Sequence, residues 1–148
     1  MKFSCEKALL QAVLGTASRA VASKSSIPAL EGLLLQATPA GLTVSGYNMQ
    51  TGIRAKVSAE VTEPGEIVLN ARLFGDIVRR MPDDVIVFSA DPKLTVRGRC
   101  GDADFDILGL SAADYPELPE VEDEYGFSIQ QKVLRAMIEE TAFAVSTN

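Results

Sequence analysis

Histidine is absent from this chain and cysteine occurs only twice. Without histidine the commonest general base is missing, and so is a common zinc ligand. Cys5 and Cys100 stand far apart with no CxxC partner, which excludes a zinc cluster and a disulfide framework and implies buried free thiols in a reducing cytosol. No apolar run approaches the roughly 20 residues of a membrane helix, and the N-terminus lacks the layout of a secretory signal, so a cytoplasmic protein is expected. No phosphate-binding loop, GxSxG elbow or GxGxxG fingerprint is present. Cations are outnumbered, 14 Lys and Arg against 20 Asp and Glu, for a net charge of −6 and a pI near 4.7. That balance excludes a grip on nucleic acid over the whole surface but leaves room for a local basic face.

What the chain does have is a partial copy of itself. Phe127, Ser128, Leu134, Ala136, Ala144 and Val145 repeat Phe3, Ser4, Leu10, Ala12, Ala20 and Val21 at a constant spacing of 124 positions, with apolar residues matching in class between them. A domain-sized period implies tandem folding units. The expectation is a first domain over residues 1–121 and the start of a second, one strand and one helix, over 122–148.

Apolar residues recur with helical period from Glu6 to Ala22, after a short strand at Lys2 to Cys5. Strand-like runs follow at Leu33 to Ala37, Leu42 to Ser45 and Ile53 to Val61. A second round begins after Pro64-Gly65. It comprises a strand at Glu66 to Leu69, an amphipathic helix from Ala71 to Met81 ended by Pro82, and strands at Val85 to Ser89, Leu94 to Arg97 and Ala103 to Leu108, with turns at Asp91-Pro92 and Gly98 to Gly101. Two β-α-β-β-β units predict an α+β fold, with two helices packed on antiparallel sheet about a pseudo-two-fold axis. Pro116 and Pro119 hold the following connector extended, and the spacing of three between Tyr115, Leu118 and Val121 suits polyproline II, lining those side chains up against the domain.

Asp102-x-Asp104-x-Asp106 has the opening of a calcium loop, but Ile107 replaces the sixth-position glycine and Ala113 the twelfth-position glutamate, so no metal is expected. A carboxylate-only enzyme using Asp83, Asp84 or the Asp102 to Asp106 cluster has no substrate-specifying motif beside it, and no cofactor is implied. The alternation of Phe105 and Ile107 with Asp104 and Asp106 reads as a strand with one apolar side. On this pattern alone that apolar side faces the core, and a second reading of the chain is a stand-alone α+β interaction module that dimerises through the Phe105 strand without touching DNA.

Four stretches resemble the bacterial DNA polymerase III β subunit family, the replicative sliding clamps: Ile27-Pro28-Ala29-Leu30-Glu31-Gly32-Leu33-Leu34-Leu35-Gln36, Asn70-Ala71-Arg72-Leu73-Phe74 with Ile77 and Pro82, Leu108 to Leu118 around Ala113-Asp114-Tyr115-Pro116, and Phe127-Ser128 with the last helix. The resemblance implies a non-catalytic processivity factor with three such domains per protomer. Two protomers close head to tail around duplex DNA, twelve helices inside and sheets outside, and the ring tethers the polymerase. This chain then corresponds to about two-fifths of a member.

By position in the family, Lys24 and Arg72 are DNA contacts. Otherwise Lys24 is a solvated lysine in a serine-rich turn, whereas Arg72 opposes the dipole of the helix it opens, a local cost that points to an outside partner. Lys7, Gln11, Arg19, Arg79 and Arg80 lie on exposed helix faces, Lys132 and Arg135 on the matching helix of the second copy, and Asn148 at a polar contact position. Leu73, Phe105 and Ile107 match the protomer interface, with leucine at 73 where some members carry a cation. The family's pocket for polymerase and clamp-loader peptides lies mostly beyond Asn148.

Overall fold

The computed structural model describes residues 1–119 and 126–146. The chain divides into two compact units, Met1–Leu118 and Pro119–Asn148.

In the first unit the strands are β1 (Lys2–Glu6), β2 (Gly32–Thr38), β3 (Gly41–Tyr47), β4 (Gly52–Val57), β5 (Glu60–Glu63), β6 (Gly65–Asn70), β7 (Val85–Ala90), β8 (Thr95–Cys100) and β9 (Ala103–Leu108). The helices are α1 (Lys7–Ala17) and α2 (Ala71–Arg80). They build two antiparallel sheets, ordered β5-β1-β7-β8-β9 and β4-β3-β2-β6. The repeated units interlock. The first strand of each half joins the meander of the other half, β1 beside β7 and β6 beside β2. After β4 the chain crosses to pair β5 with β1, and after β9 Leu110 bridges Val68 of β6 in the same way. The expected pseudo-two-fold order is therefore present, carried by two sheets.

One core fills the space between sheets and helices. Alternation in β1 buries Phe3 and Cys5, and helical spacing buries Leu10, Leu14 and Ala17 of α1 and Ala71, Phe74 and Val78 of α2. Phe88 stacks on Phe3 at 4.7 Å between ring centroids and meets Phe74 edge-on at 6.0 Å.

Several boundaries differ from the sequence expectation. The run Ile53 to Val61 is two strands: β4 pairs with β3, the chain turns at Ser58-Ala59, and β5 enters the other sheet. α1 stops at Ala17, followed by a 3-10 turn at Ser18–Ala20, and the Ala22 N–H is taken by Leu30 O at 3.1 Å. The helix end lies so close to β3 that a Cβ on Gly46 would stand 2.1 Å from Ala17 O. Gly98 lies inside β8, and the turn sits at Gly101, whose φ is +58°.

Ser111 to Leu118 form part of the first unit. Tyr115 and Leu118 close a small second core with Leu30, Tyr47 and Val68. Val121, the third residue of that spacing, lies outside the described residues.

In the second unit α3 (Gln131–Thr141) and its 3-10 turn (Ala142–Ala144) stand 124 positions after α1 and its turn at Ser18–Ala20. Residues 126–130 are not a strand. β1 is one because β5 and β7 flank it, and no such partners accompany 126–130 among the described residues. The face that α1 buries has its counterpart in Leu134 and Ile138, both exposed.

Candidate nucleic-acid interface and sheet edge

α1 turns Leu10, Leu14 and Ala17 inward, which leaves Lys7 and Gln11 on its outer side, and Arg19 follows in the 3-10 turn. The three line one open groove together with Ala8, Ala12, Gly15, Thr16 and Asp83. Lys7 is not free there. Its Nζ is 2.6 Å from Asp83 Oδ1, and its side chain keeps 12% exposure. Gln11 and Arg19 are exposed.

Lys24 is exposed on the segment linking the 3-10 turn to β2. That segment is pinned: the Ile27 N–H donates to Ser25 Oγ and the Ser25 N–H to Glu31 Oε1, both at 3.1 Å.

α2 begins at Asn70, whose Oδ1 accepts from the Leu73 N–H at 2.9 Å and caps the helix. With Phe74 and Val78 facing the core, Arg72, Arg79 and Arg80 face out and are exposed. Arg79 Nη2 donates to Asp76 Oδ1 at 2.7 Å. Arg72 has no acid in its helical turn to offset the dipole. Among the described residues Arg19, Lys24, Arg72 and Arg80 have no ion-pair partner.

On α3 Lys132 is exposed, and Arg135 Nε meets Glu139 Oε1 at 2.8 Å. Asn148 lies outside the described residues.

β9 is a terminal strand, hydrogen-bonded on one side to β8. Asp104, Asp106 and Leu108 project from its outer face, with Asp106 3.2 Å from Arg97 and Leu108 75% exposed. Phe105 and Ile107 point to the core side and are half-buried. The Phe105 ring lies flat over Gly98, where a Cβ would stand 2.2 Å from Cε1, and its centroid is 6.2 Å from that of Phe74. Leu73, next to Phe74 on α2, is 50% exposed. Among the described residues the outer edge of β9 is unpaired, and the strand carries two apolar side chains that the core only half covers.

A family model described as DNA polymerase III beta subunit, N-terminal domain, matches residues 1–119. The chain belongs to that family. It is 31% identical to the beta sliding clamp of Bacillus subtilis, covering 100% of this chain and 41% of that protein. Against the beta sliding clamp of Synechococcus elongatus the identity is 33%, covering 99% and 40%. Two solved clamps share the fold: a putative DNA polymerase III beta subunit from Eubacterium rectale (TM-score 0.95, 30% identity, 100% of this chain and 40% of that one) and the Bacillus subtilis DNA polymerase sliding clamp (TM-score 0.94, 31% identity, 100% and 41%). The chain spans about two-fifths of the length of these clamp relatives.

Sequence reasoning missed the carboxylates that hold the cations. Asp76 with Arg79 and Arg135 with Glu139 follow the helical i,i+3 and i,i+4 rule and were legible. Lys7 with Asp83 joins residues 76 apart and had no local signal.

Both cysteines are buried and free. Burial pushes the Cys5 thiol up, and the neighbouring Glu6 charge adds to the shift. No helix of the described residues is long and apolar enough to cross a membrane.

Proposed function

We propose that this chain is the first clamp domain, residues 1–121, with the opening of the second, 122–148, of a non-catalytic sliding clamp. The whole protein would close head to tail with a second protomer, encircle duplex DNA without reading its sequence, and tether the replicative polymerase in the cytoplasm.

One observation carries the reading. In a chain of net charge −6, exposed cations stand after α1 (Arg19, Lys24), on the outward side of α2 (Arg72, Arg79, Arg80) and on α3 (Lys132, Arg135). Cations on helix faces of an acidic protein suit a loose sleeve, because phosphate attraction is then local and non-specific binding stays weak and salt-sensitive. Lys7 and Gln11 on the outer side of α1 join the set, and Asn148 is a contact by its position in the family alone. Leu73, Phe105 and Ile107 form the protomer edge. The pocket for polymerase and clamp-loader peptides belongs mostly to sequence beyond this chain.

The test is topological. Loaded onto a nicked circular plasmid by its clamp loader, the intact protein should co-elute with the DNA and be released when the plasmid is linearised. The unpaired edge of β9 also favours a second reading, a module that dimerises through the Phe105 strand without DNA. Failure to co-elute, with dimerisation intact, would select it.

A further inference from the structure

Among the described residues, α2 and α3 each pair one cation with a carboxylate and leave another unpaired, and at α1 the paired cation is on the helix and the unpaired one in the 3-10 turn after it. At α1, Asp83 covers Lys7 while Arg19 is unpaired; on α2, Asp76 holds Arg79 while Arg72 and Arg80 are unpaired; on α3, Glu139 holds Arg135 while Lys132 is unpaired. Asp76 lies one helical turn from Arg72 and one from Arg80, in the middle of an arginine row. Asp83 lines the same groove as Lys7, Gln11 and Arg19. These acids stand among the cations assigned to DNA, not apart from them.

We infer that Asp76 and Asp83 belong to the DNA-facing surface as built-in competitors of phosphate. A cation held by a carboxylate at 2.6 or 2.7 Å can meet a backbone phosphate only by exchanging one anion for another. The exchange releases less free energy than capture by an unpaired cation. Salt dependence then reflects only unpaired cations, since each phosphate neutralised contributes about −0.9 to the slope of log affinity against log salt. Asp83 and both members of the Asp76–Arg79 pair are exposed, so the pairs add little stability and their value lies in lowering friction along DNA.

The inference rests on the clamp reading, and the experiment separates the two. In the intact protein, Asp76→Asn and Asp83→Asn are made singly and together. Binding to duplex DNA is measured across a salt series, and one-dimensional diffusion of loaded protein is followed on stretched DNA. The double variant should bind several-fold tighter at low salt, steepen the slope by nearly two units, and diffuse several-fold more slowly. Lys7→Gln combined with Asp83→Asn should return affinity to the parent's, which separates lost masking from altered folding. Asp76, in an exposed pair on one helix, tests the idea independently of Asp83. Unchanged slope and diffusion in both single variants, with the parent retained on closed circles, would overturn this inference alone. A parent that is not retained removes both readings.

Discussion

The hydroxyl of Tyr115 donates to the backbone carbonyl of Ser45 at 3.4 Å, joining the connector to β3 across 70 positions of sequence. Tyr115 is 7% exposed and covers the outer side of the β4-β3-β2-β6 sheet, so the connector is held as part of the first unit. Tyr115→Ala should cost about 3 kcal/mol in urea unfolding, because it empties a packed site. Tyr115→Phe should cost under ~1 kcal/mol, since the hydrogen bond is long.

Burial pushes the Tyr115 hydroxyl up from 10.0 to about 12, opposed by hydrogen bonding to the Tyr47 backbone. Below pH 10 both folded and unfolded chains keep this proton. Between 10 and about 12 the unfolded chain releases it while the folded chain holds it, so the stability this group contributes falls as pH rises. Tyr115→Phe should flatten that decline, and an unchanged alkaline slope would place the titrating group elsewhere.

Ser45 is 1% exposed, and its Oγ is buried without a hydrogen-bond partner among the described residues. Removing a buried, unsatisfied hydroxyl removes a desolvation cost. Ser45→Ala should therefore be neutral or stabilise by up to about 1 kcal/mol. A loss of that size on urea titration would mean the hydroxyl has a partner in solution.

Lys24 and Arg72 are exposed and belong to different elements. Lys24→Glu with Arg72→Glu in the intact protein should weaken DNA retention and lower the salt slope by about two units, leaving the melting temperature unchanged. Full retention at low salt would refute their place on the DNA face.

Leu73 is half exposed on α2, next in sequence to Phe74, whose ring lies 6.2 Å from that of Phe105 on β9. A charge placed there costs little in a free domain and much in an apolar interface. Leu73→Glu should raise the dimer dissociation constant of the intact protein at least tenfold in sedimentation, with no change in its circular dichroism melt. An unaffected dimer would move the interface away from α2.

Gly98 leaves the space that the Phe105 ring occupies. Gly98→Ala should displace the ring and cost about 1–3 kcal/mol, with a weaker dimer as the second readout. Wild-type stability and association would show that the ring has room to move.

Local patterns carried much of the fold. Alternation around Phe3 and Cys5 and helical spacing through Leu10 and Leu14 mark which residues the core receives, and Asn70, Ala71 and Pro82 bracket α2. The spacing of Tyr115 and Leu118 was legible as a surface-pinning connector. The split of Ile53 to Val61 was not, because a change of sheet at Ser58-Ala59 leaves the apolar pattern unbroken. Gly98 read as a turn residue because a glycine's identity does not say whether it serves φ or a neighbouring ring.

By itself the sequence determined the duplicated order of strands and helices, the buried faces, the acidic balance and the cations of the helix faces, all of which depend on residue type at short spacing. The tertiary structure decided what lies between distant residues. It crossed β1 and β6 into each other's sheets, ended α1 against Gly46, set Phe105 over Gly98, and brought Asp83 onto Lys7. Those outcomes depend on which surfaces meet when two sheets and two helices close on one core, and no local period encodes that choice.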